Sequence, residues 1–279
     1  MASQTTQKGN KKMIKSDNIS DNKKHTTDPI YKSDNRNATA TPHARLENRK
    51  LRLAILGAGG IARKMAETVN QMEDVELYAV ASRTEEKARQ FADTYHASKW
   101  YGSYEEMVAD DGIDLVYVAT PHSHHKEHTM LCLNYNRAVL CEKAFAVNTK
   151  EAENMIRLAK EKNILLAEAM WVRYMPMSFT LKEIIDSDVI GKITGLTANL
   201  GYSLMQVERL IRPELAGGAL LDLAPYTLNF ATWVLGDNVS TIHTTMTPQT
   251  KQNLSTWYTR TVRSLVCSQL WNQPPTAAA

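Results

Sequence analysis

A chain of 279 residues, 43% hydrophobic and 23% charged, has the composition of a globular protein of one large or two medium domains. Its formal net charge of +3 is unevenly spread: residues 1–50 hold 11 Lys/Arg against 5 Asp/Glu, whereas residues 51–279 hold 22 against 25, so nucleic acid is not an expected partner. No apolar run approaches the roughly 20 residues that cross a bilayer, and three cysteines without framework or ligand spacing, Cys132, Cys141 and Cys267, fit a reducing cytoplasm and give no basis for a metal site.

Residues 1–48 have scarcely any large apolar side chains with which to offset ordering entropy, and are expected to form a disordered polar tail. This stretch lacks the apolar core of a secretory signal, and its acidic residues fit poorly with an organellar transit peptide. Leu51–Leu56 then reads as a buried strand, followed by Gly57-Ala58-Gly59-Gly60-Ile61-Ala62 and a helix continuing to Met72. Strand, glycine turn and helix in that order suit a dinucleotide pyrophosphate, because glycines admit close backbone approach and the helix N-terminus offers unpaired N–H groups. Gly57 makes the turn, Gly59 allows the approach, and Ala62 is the small residue where helix meets strand.

The next strand, Val75–Ala81, ends in Ser82-Arg83-Thr84. An acidic residue there would accept from a ribose 2′-hydroxyl; Ser82 and Arg83 offer donors to a 2′-phosphate instead, which favours NADP over NAD. A helix over Glu85–Tyr95 follows. Ser103 and Glu106 open another through Ala109, and Ile113–Ala119 reads as a buried strand. Then come a helix over Glu127–Tyr135, a strand Ala138–Cys141, a long helix through Lys162 capped by Asn148 or Thr149, and a strand Ile164–Ala169.

Such alternation predicts an α/β fold with a doubly wound parallel sheet, a Rossmann domain over residues 49–168, with ligands beyond the carboxyl ends of the strands. Those ends carry Thr120-Pro121-His122-Ser-His124-His125 and Glu142-Lys143-Ala144. The histidines at 122, 124, 125 and 128 lack the carboxylate or cysteine pattern of a metal set, and His124 and His128 read as a surface helix start.

Trp171-Val-Arg173-Tyr-Met-Pro176 opens a different segment, with a helix over Phe179–Asp186 and a strand over Lys192–Leu200. Gly217-Gly-Ala-Leu-Leu-Asp222 leads through Pro225 and Tyr226 into an apolar helix ending near Gly236, and Val239–Thr245 reads as a strand. Residues 169–247 thus form a smaller α+β domain. Residues 248–279 show little alternation and are expected to be an atypical, poorly ordered end.

Together Gly57-x-Gly59-x-x-Ala62, Ala119-Thr-Pro121 with His125, Glu142-Lys143, Glu168-Ala-Met-Trp-x-Arg173, and Gly217-Gly-x-x-x-Asp222 with Tyr226 resemble the glucose-fructose oxidoreductase, inositol dehydrogenase and MocA family. Within it they resemble the dimeric dihydrodiol dehydrogenase branch, from about Leu51 to His243. The resemblance implies a nucleotide-binding domain followed by an open-faced mixed sheet that often mediates dimerisation. It places Gly57, Ala58, Gly59, Gly60, Ile61, Ser82, Arg83, Thr120, Pro121, His125, Glu142, Lys143, Trp171 and Arg173 on the cofactor. Lys143, Asp222 and Tyr226 are its catalytic group: Tyr226 exchanges the hydroxyl proton, Lys143 stabilises the phenolate and positions the substrate oxygen, and Asp222 orients them or binds a neighbouring hydroxyl.

Two departures bear on these expectations. Ala144 stands where the family has proline, which weakens the constraint orienting Lys143, and the family's further strands are not legible after Thr245, so the second sheet is expected to be incomplete and any homodimer compromised. The reading that follows is an NADP-dependent oxidoreductase of a vicinal diol, sugar or related small carbonyl compound. The alternative is a non-catalytic nucleotide-binding regulatory protein, or an inactive truncated member, on the same scaffold.

Overall fold

The computed structural model describes residues 49–202, 207–247, 252–259 and 263–270. The polar tail expected over residues 1–48 lies outside the described residues. In chain order the first half runs β1 (Leu51–Leu56), α1 (Gly60–Val69), β2 (Val75–Ala81), α2 (Glu85–Tyr95), β3 (Lys99–Tyr101), α3 (Tyr104–Ala109), β4 (Leu115–Val118), α4 (His125–Asn134), β5 (Ala138–Cys141), α5 (Thr149–Glu161) and β6 (Leu166–Glu168). A single 3₁₀ turn, His122–His124, leads into α4.

The six strands form one sheet in the order β3-β2-β1-β4-β5-β6, and every neighbouring pair is parallel. Successive side chains of β1 face opposite sides, Leu53 and Ile55 into one apolar cluster and Ala54 and Leu56 into the other. All four are at most 3% exposed, as a strand covered by helices on both faces requires, which is why it reads as a continuous apolar run. Helix ends follow their local chemistry. The Ser103 hydroxyl accepts the Glu106 N–H at 3.3 Å to start α3, and the Asn148 carboxamide accepts the Glu151 N–H at 3.0 Å, which makes Asn148 the cap of α5.

A 3₁₀ turn at Trp171–Tyr174 leads to α6 (Pro176–Asp186), which begins three residues earlier than expected because Pro176 occupies its first turn. Next come β7 (Gly195–Gly201), α7 (Glu208–Ile211), α8 (Ala219–Asp222), α9 (Ala224–Leu235), β8 (Val239–Thr247), β9 (Gln252–Thr259) and β10 (Arg263–Leu270). Asp222 closes α8 and Tyr226 lies in the first turn of α9, so the two are on separate helices.

The second sheet has the order β7-β10-β9-β8, with β7 and β10 parallel and the other pairs antiparallel, a mixed sheet. Ala231 and Leu235 of α9 pack with Leu196 and Ala198 of β7 and the adjacent Ile193, covering one face. Within the end expected to be atypical, residues 252–259 and 263–270 are strands, paired along their whole length. Their β-branched and aromatic residues, such as Thr256-Trp257-Tyr258-Thr259, favour extended backbone without strict polar–apolar alternation. The rest of 248–279 lies outside the described residues. Among the described residues, no helix is long and apolar enough to cross a membrane.

Candidate active site

Strand order reverses between β1 and β4, and two pockets meet there, sharing Gly59, Ala119, Thr120 and Pro121. Such a switch point is where open α/β sheets bind ligands. One pocket, of ≈ 270 Å³, extends toward the end of β2; the other, of ≈ 700 Å³, extends toward α8 and α9. Together they form one long groove.

Gly57 builds its floor. Its φ of +104° suits glycine, and a Cβ there would lie 3.0 Å from Thr120 Cγ2 and 3.2 Å from the Ala119 carbonyl carbon. Gly59 and Gly60 differ: a Cβ on Gly59 would meet only the Ala119 oxygen, at 3.8 Å, and one on Gly60 nothing within 4 Å. Open space beside an α1 N-terminus whose cap residue is glycine is a cradle that fits a pyrophosphate. Ala62 is fully buried where α1 meets the sheet.

The smaller pocket gathers Gly57, Ala58, Gly59, Ser82 and Arg83, as expected, with Thr120 and Pro121. Lys87, His124, His128, Tyr104 and Leu215 also line it, and sequence reading missed all five. Lys87, four positions after Arg83, was a legible signal for a second cation. His124 and His128 do stand at a helix start, His124 as the residue before α4 and His128 in its first turn, but the expectation that they lie on the surface is corrected, since His124 is half-buried and His128 buried. Their rings stack at 5.6 Å, Tyr104 meets His128 edge-on, and His128 is 8% exposed with Nδ1 2.9 Å from Thr120 Oγ1. Burial pushes the His128 pKa down to about 4.

The larger pocket brings together Gly59, Gly60, Ile61, Glu142, Lys143, Asp222 and Tyr226. Lys143 Nζ donates to the Asp222 carbonyl oxygen at 2.7 Å and to Asp222 Oδ1 at 3.0 Å. The same ammonium lies 4.7 Å from the centroid of the Tyr226 ring, against its face. Tyr226 Oη accepts from Trp171 Nε1 at 3.3 Å. Glu142 is buried, and burial pushes its carboxyl up, partly offset by a hydrogen bond from Tyr117 Oη and one from the Lys143 N–H at 3.1 Å. His122 and Arg209, missed from sequence, face Asp222 Oδ1 at 4.0 and 3.4 Å. Burial holds the His122 pKa at about 4, so at neutral pH it is uncharged and, among the described residues, Lys143 and Arg209 are the cations that pair with the carboxylate.

Three residues expected on the cofactor line neither pocket. His125 is fully buried, with Nδ1 2.7 Å from the Ala144 oxygen and Nε2 2.8 Å from the Thr120 oxygen. It braces the two strand ends from behind the groove; burial lowers its pKa while the two carbonyls favour the doubly protonated ring. Arg173 Nε is held by Asn229 Oδ1 at 2.8 Å, and Trp171 lies beside Tyr226. The weakening expected from Ala144 is offset locally: the Lys143 N–H bonds Glu142, the Ala144 oxygen faces His125, and the Phe145 N–H donates to Glu168 Oε1 at 3.2 Å. The Lys143–Ala144 peptide is cis.

A family model described as an oxidoreductase family with an NAD-binding Rossmann fold matches residues 51–170, and one for the GFO/IDH/MocA C-terminal domain matches residues 179–266. The D-xylose 1-dehydrogenase (NADP(+)) of Hypocrea jecorina is 41% identical over 206 residues, 66% of this chain and 52% of that protein. The trans-1,2-dihydrobenzene-1,2-diol dehydrogenase of Mus musculus is 34% identical over 236 residues, 81% of this chain and 71% of that protein. The chain therefore spans about half the length of the first of these relatives and about seven-tenths of the second. Among solved structures, GenD2 from gentamicin A biosynthesis in complex with NAD has a TM-score of 0.76 at 22% identity, covering 82% of this chain and 68% of that one. KijD10, a 3-ketoreductase from Actinomadura kijaniata in complex with NADP and TDP-benzene, has a TM-score of 0.73 at 22% identity, covering 81% and 71%. These two likenesses describe the fold.

Proposed function

The chain belongs to the GFO/IDH/MocA oxidoreductase family, and from that membership we propose that it is an NADP-dependent dehydrogenase of a vicinal diol or sugar. The observation that carries this reading is the convergence of Lys143, Asp222 and Tyr226 in the pocket that adjoins the glycine cradle. NADP, when bound, supplies the hydride acceptor. Arg83 and Lys87 flank the far end of the groove and hold the 2′-phosphate. The similarity to proteins named D-xylose 1-dehydrogenase (NADP(+)) and trans-1,2-dihydrobenzene-1,2-diol dehydrogenase supports the substrate class.

In this reading Tyr226 starts as the phenolate, and its Oη takes the proton of the substrate hydroxyl and becomes neutral as hydride leaves the carbon bearing that hydroxyl for the nicotinamide. The Lys143 ammonium stabilises the Tyr226 phenolate before that transfer, and Asp222 keeps Lys143 in place. Trp171 Nε1 fixes the orientation of the Tyr226 hydroxyl through its hydrogen bond. The compartment we propose is the cytoplasm, in keeping with the buried free thiols of Cys132 and Cys141, and the proposed assembly is a homodimer formed through the second sheet. The test is reduction of NADP, followed by absorbance, with D-xylose and with a trans-dihydrodiol. Tyr226→Phe is expected to lower kcat by about 10²- to 10⁴-fold with cofactor affinity unchanged; full activity in that variant refutes the role of Tyr226.

A further inference from the structure

The segment between β7 and α8 is absent from the expectations above, yet Val207–Ala216 touches both ends of the groove. Val207 and Arg209 line the Lys143–Tyr226 pocket, and Leu215 lines the pocket of Arg83. Three contacts fasten it. Leu210, 2% exposed, packs against Ala219 and Leu223. The Ala216 oxygen lies 3.2 Å from His122 Nδ1. Gly217 brings the two backbones together: a Cβ there would lie 2.6 Å from the Leu210 oxygen and 2.8 Å from the Arg209 oxygen. The Gly217 of the Gly-Gly-x-x-x-Asp motif thus has a steric reason tied to this segment.

Arg209 is the charged link. Asp222 Oδ1 takes Lys143 Nζ at 3.0 Å and Arg209 Nη1 at 3.4 Å, so one carboxylate oxygen sits between two cations from different parts of the chain. With both present Asp222 is held from two sides, and the Lys143 ammonium remains against the Tyr226 ring. Without Arg209, Asp222 keeps one cationic partner and Val207–Ile211 loses its charged attachment to α8.

We propose that Val207–Ala216 is a strap across the cofactor groove and that Arg209 is a positioning residue, which anchors the strap on Asp222 and sets the Asp222–Lys143 geometry. The consequence for turnover rests on the dehydrogenase reading; the anchoring does not. Removing a charge-assisted hydrogen bond of this kind corresponds to about 10- to 100-fold.

The experiment compares the parent chain with Arg209→Met and Arg209→Lys. Kinetics use D-xylose and NADP, NADPH binding is followed by fluorescence, and amide hydrogen exchange is read over residues 208–212. Arg209→Met is expected to lower kcat about 10- to 100-fold, with KM for the sugar and the NADPH Kd within about threefold. Exchange over 208–212 speeds by a similar factor while β1 and β4 are unchanged, and Arg209→Lys recovers most of both effects. Parental kcat and parental exchange in Arg209→Met overturn the proposal, as does an equal loss in Arg209→Lys. A parent chain that reduces no NADP with sugars or diols counts against the dehydrogenase reading, and exchange alone then decides Arg209: faster exchange upholds the anchor and unchanged exchange overturns it.

Discussion

Gly57→Ala and Gly59→Ala separate what the glycine turn does for the fold from what it does for a ligand. At position 57 the methyl must enter a backbone with φ +104° and approach Thr120 Cγ2 to 3.0 Å and the Ala119 carbonyl to 3.2 Å. Left-handed strain costs about 1–2 kcal/mol, and forcing apart the packed ends of β1 and β4 costs about 1–3 kcal/mol more. The sum, about 2–5 kcal/mol, lowers Tm by about 4–20 °C for a domain of this size. At position 59 the φ is −93°, and the added methyl meets only the Ala119 oxygen at 3.8 Å, so the fold loses at most about 1 kcal/mol, for the poorer helix cap. The methyl instead occupies the open space assigned to the pyrophosphate, and an overpacking cost of about 1–3 kcal/mol weakens NADPH binding roughly 5- to 150-fold. Thermal melts without cofactor and fluorescence titration with NADPH read the two effects separately. An unshifted Tm in Gly57→Ala, or parental NADPH affinity in Gly59→Ala, refutes the reasoning for that glycine.

NADP is expected to raise the unfolding midpoint more than NAD at equal concentration, since a ligand stabilises in proportion to its preferential binding to the native state. Arg83→Ala and Lys87→Ala should each narrow that difference; equal shifts by both cofactors in the parent chain would remove the 2′-phosphate assignment. His122 and His128 give the stability a specific acid dependence. Their folded pKa values lie near 4 against 6.5 for the free side chain, because burial disfavours the charged ring. Between those values the unfolded chain binds protons that the native state does not, so stability is fully present above pH 6.5 and falls by about 1.4 kcal/mol per pH unit per histidine down to pH 4. Urea unfolding across that window measures the slope, and His128→Asn should reduce it; an unchanged slope in the variant would show that His128 is not buried neutral.

The local order of strand, glycine turn and helix is a property of contiguous residues, and so is the continuous apolar run of a strand covered on both faces. That is why β1, the cradle at Gly57–Ile61 and the doubly wound sheet are legible in the sequence of this chain. Lys143, Asp222 and Tyr226 are legible as motif positions. Their meeting is not, because it depends on Asp222 ending one short helix and Tyr226 starting the next, 79 and 83 residues beyond Lys143. Arg209 carries no local signal. Its place follows from Gly217 and Leu210, which seat α7 against α8 through contacts that only tertiary packing creates. His125 and Arg173, which motif position puts on the cofactor, line neither pocket, and their hydrogen bonds run to Thr120, Ala144 and Asn229, contacts that no local signal announces. The strands β9 and β10 escape a reading based on alternation because neighbouring strands satisfy their backbone hydrogen bonds whatever the periodicity. Local backbone preference and burial periodicity are written in neighbouring residues, whereas which distant side chains share a carboxylate is decided only when the chain is packed.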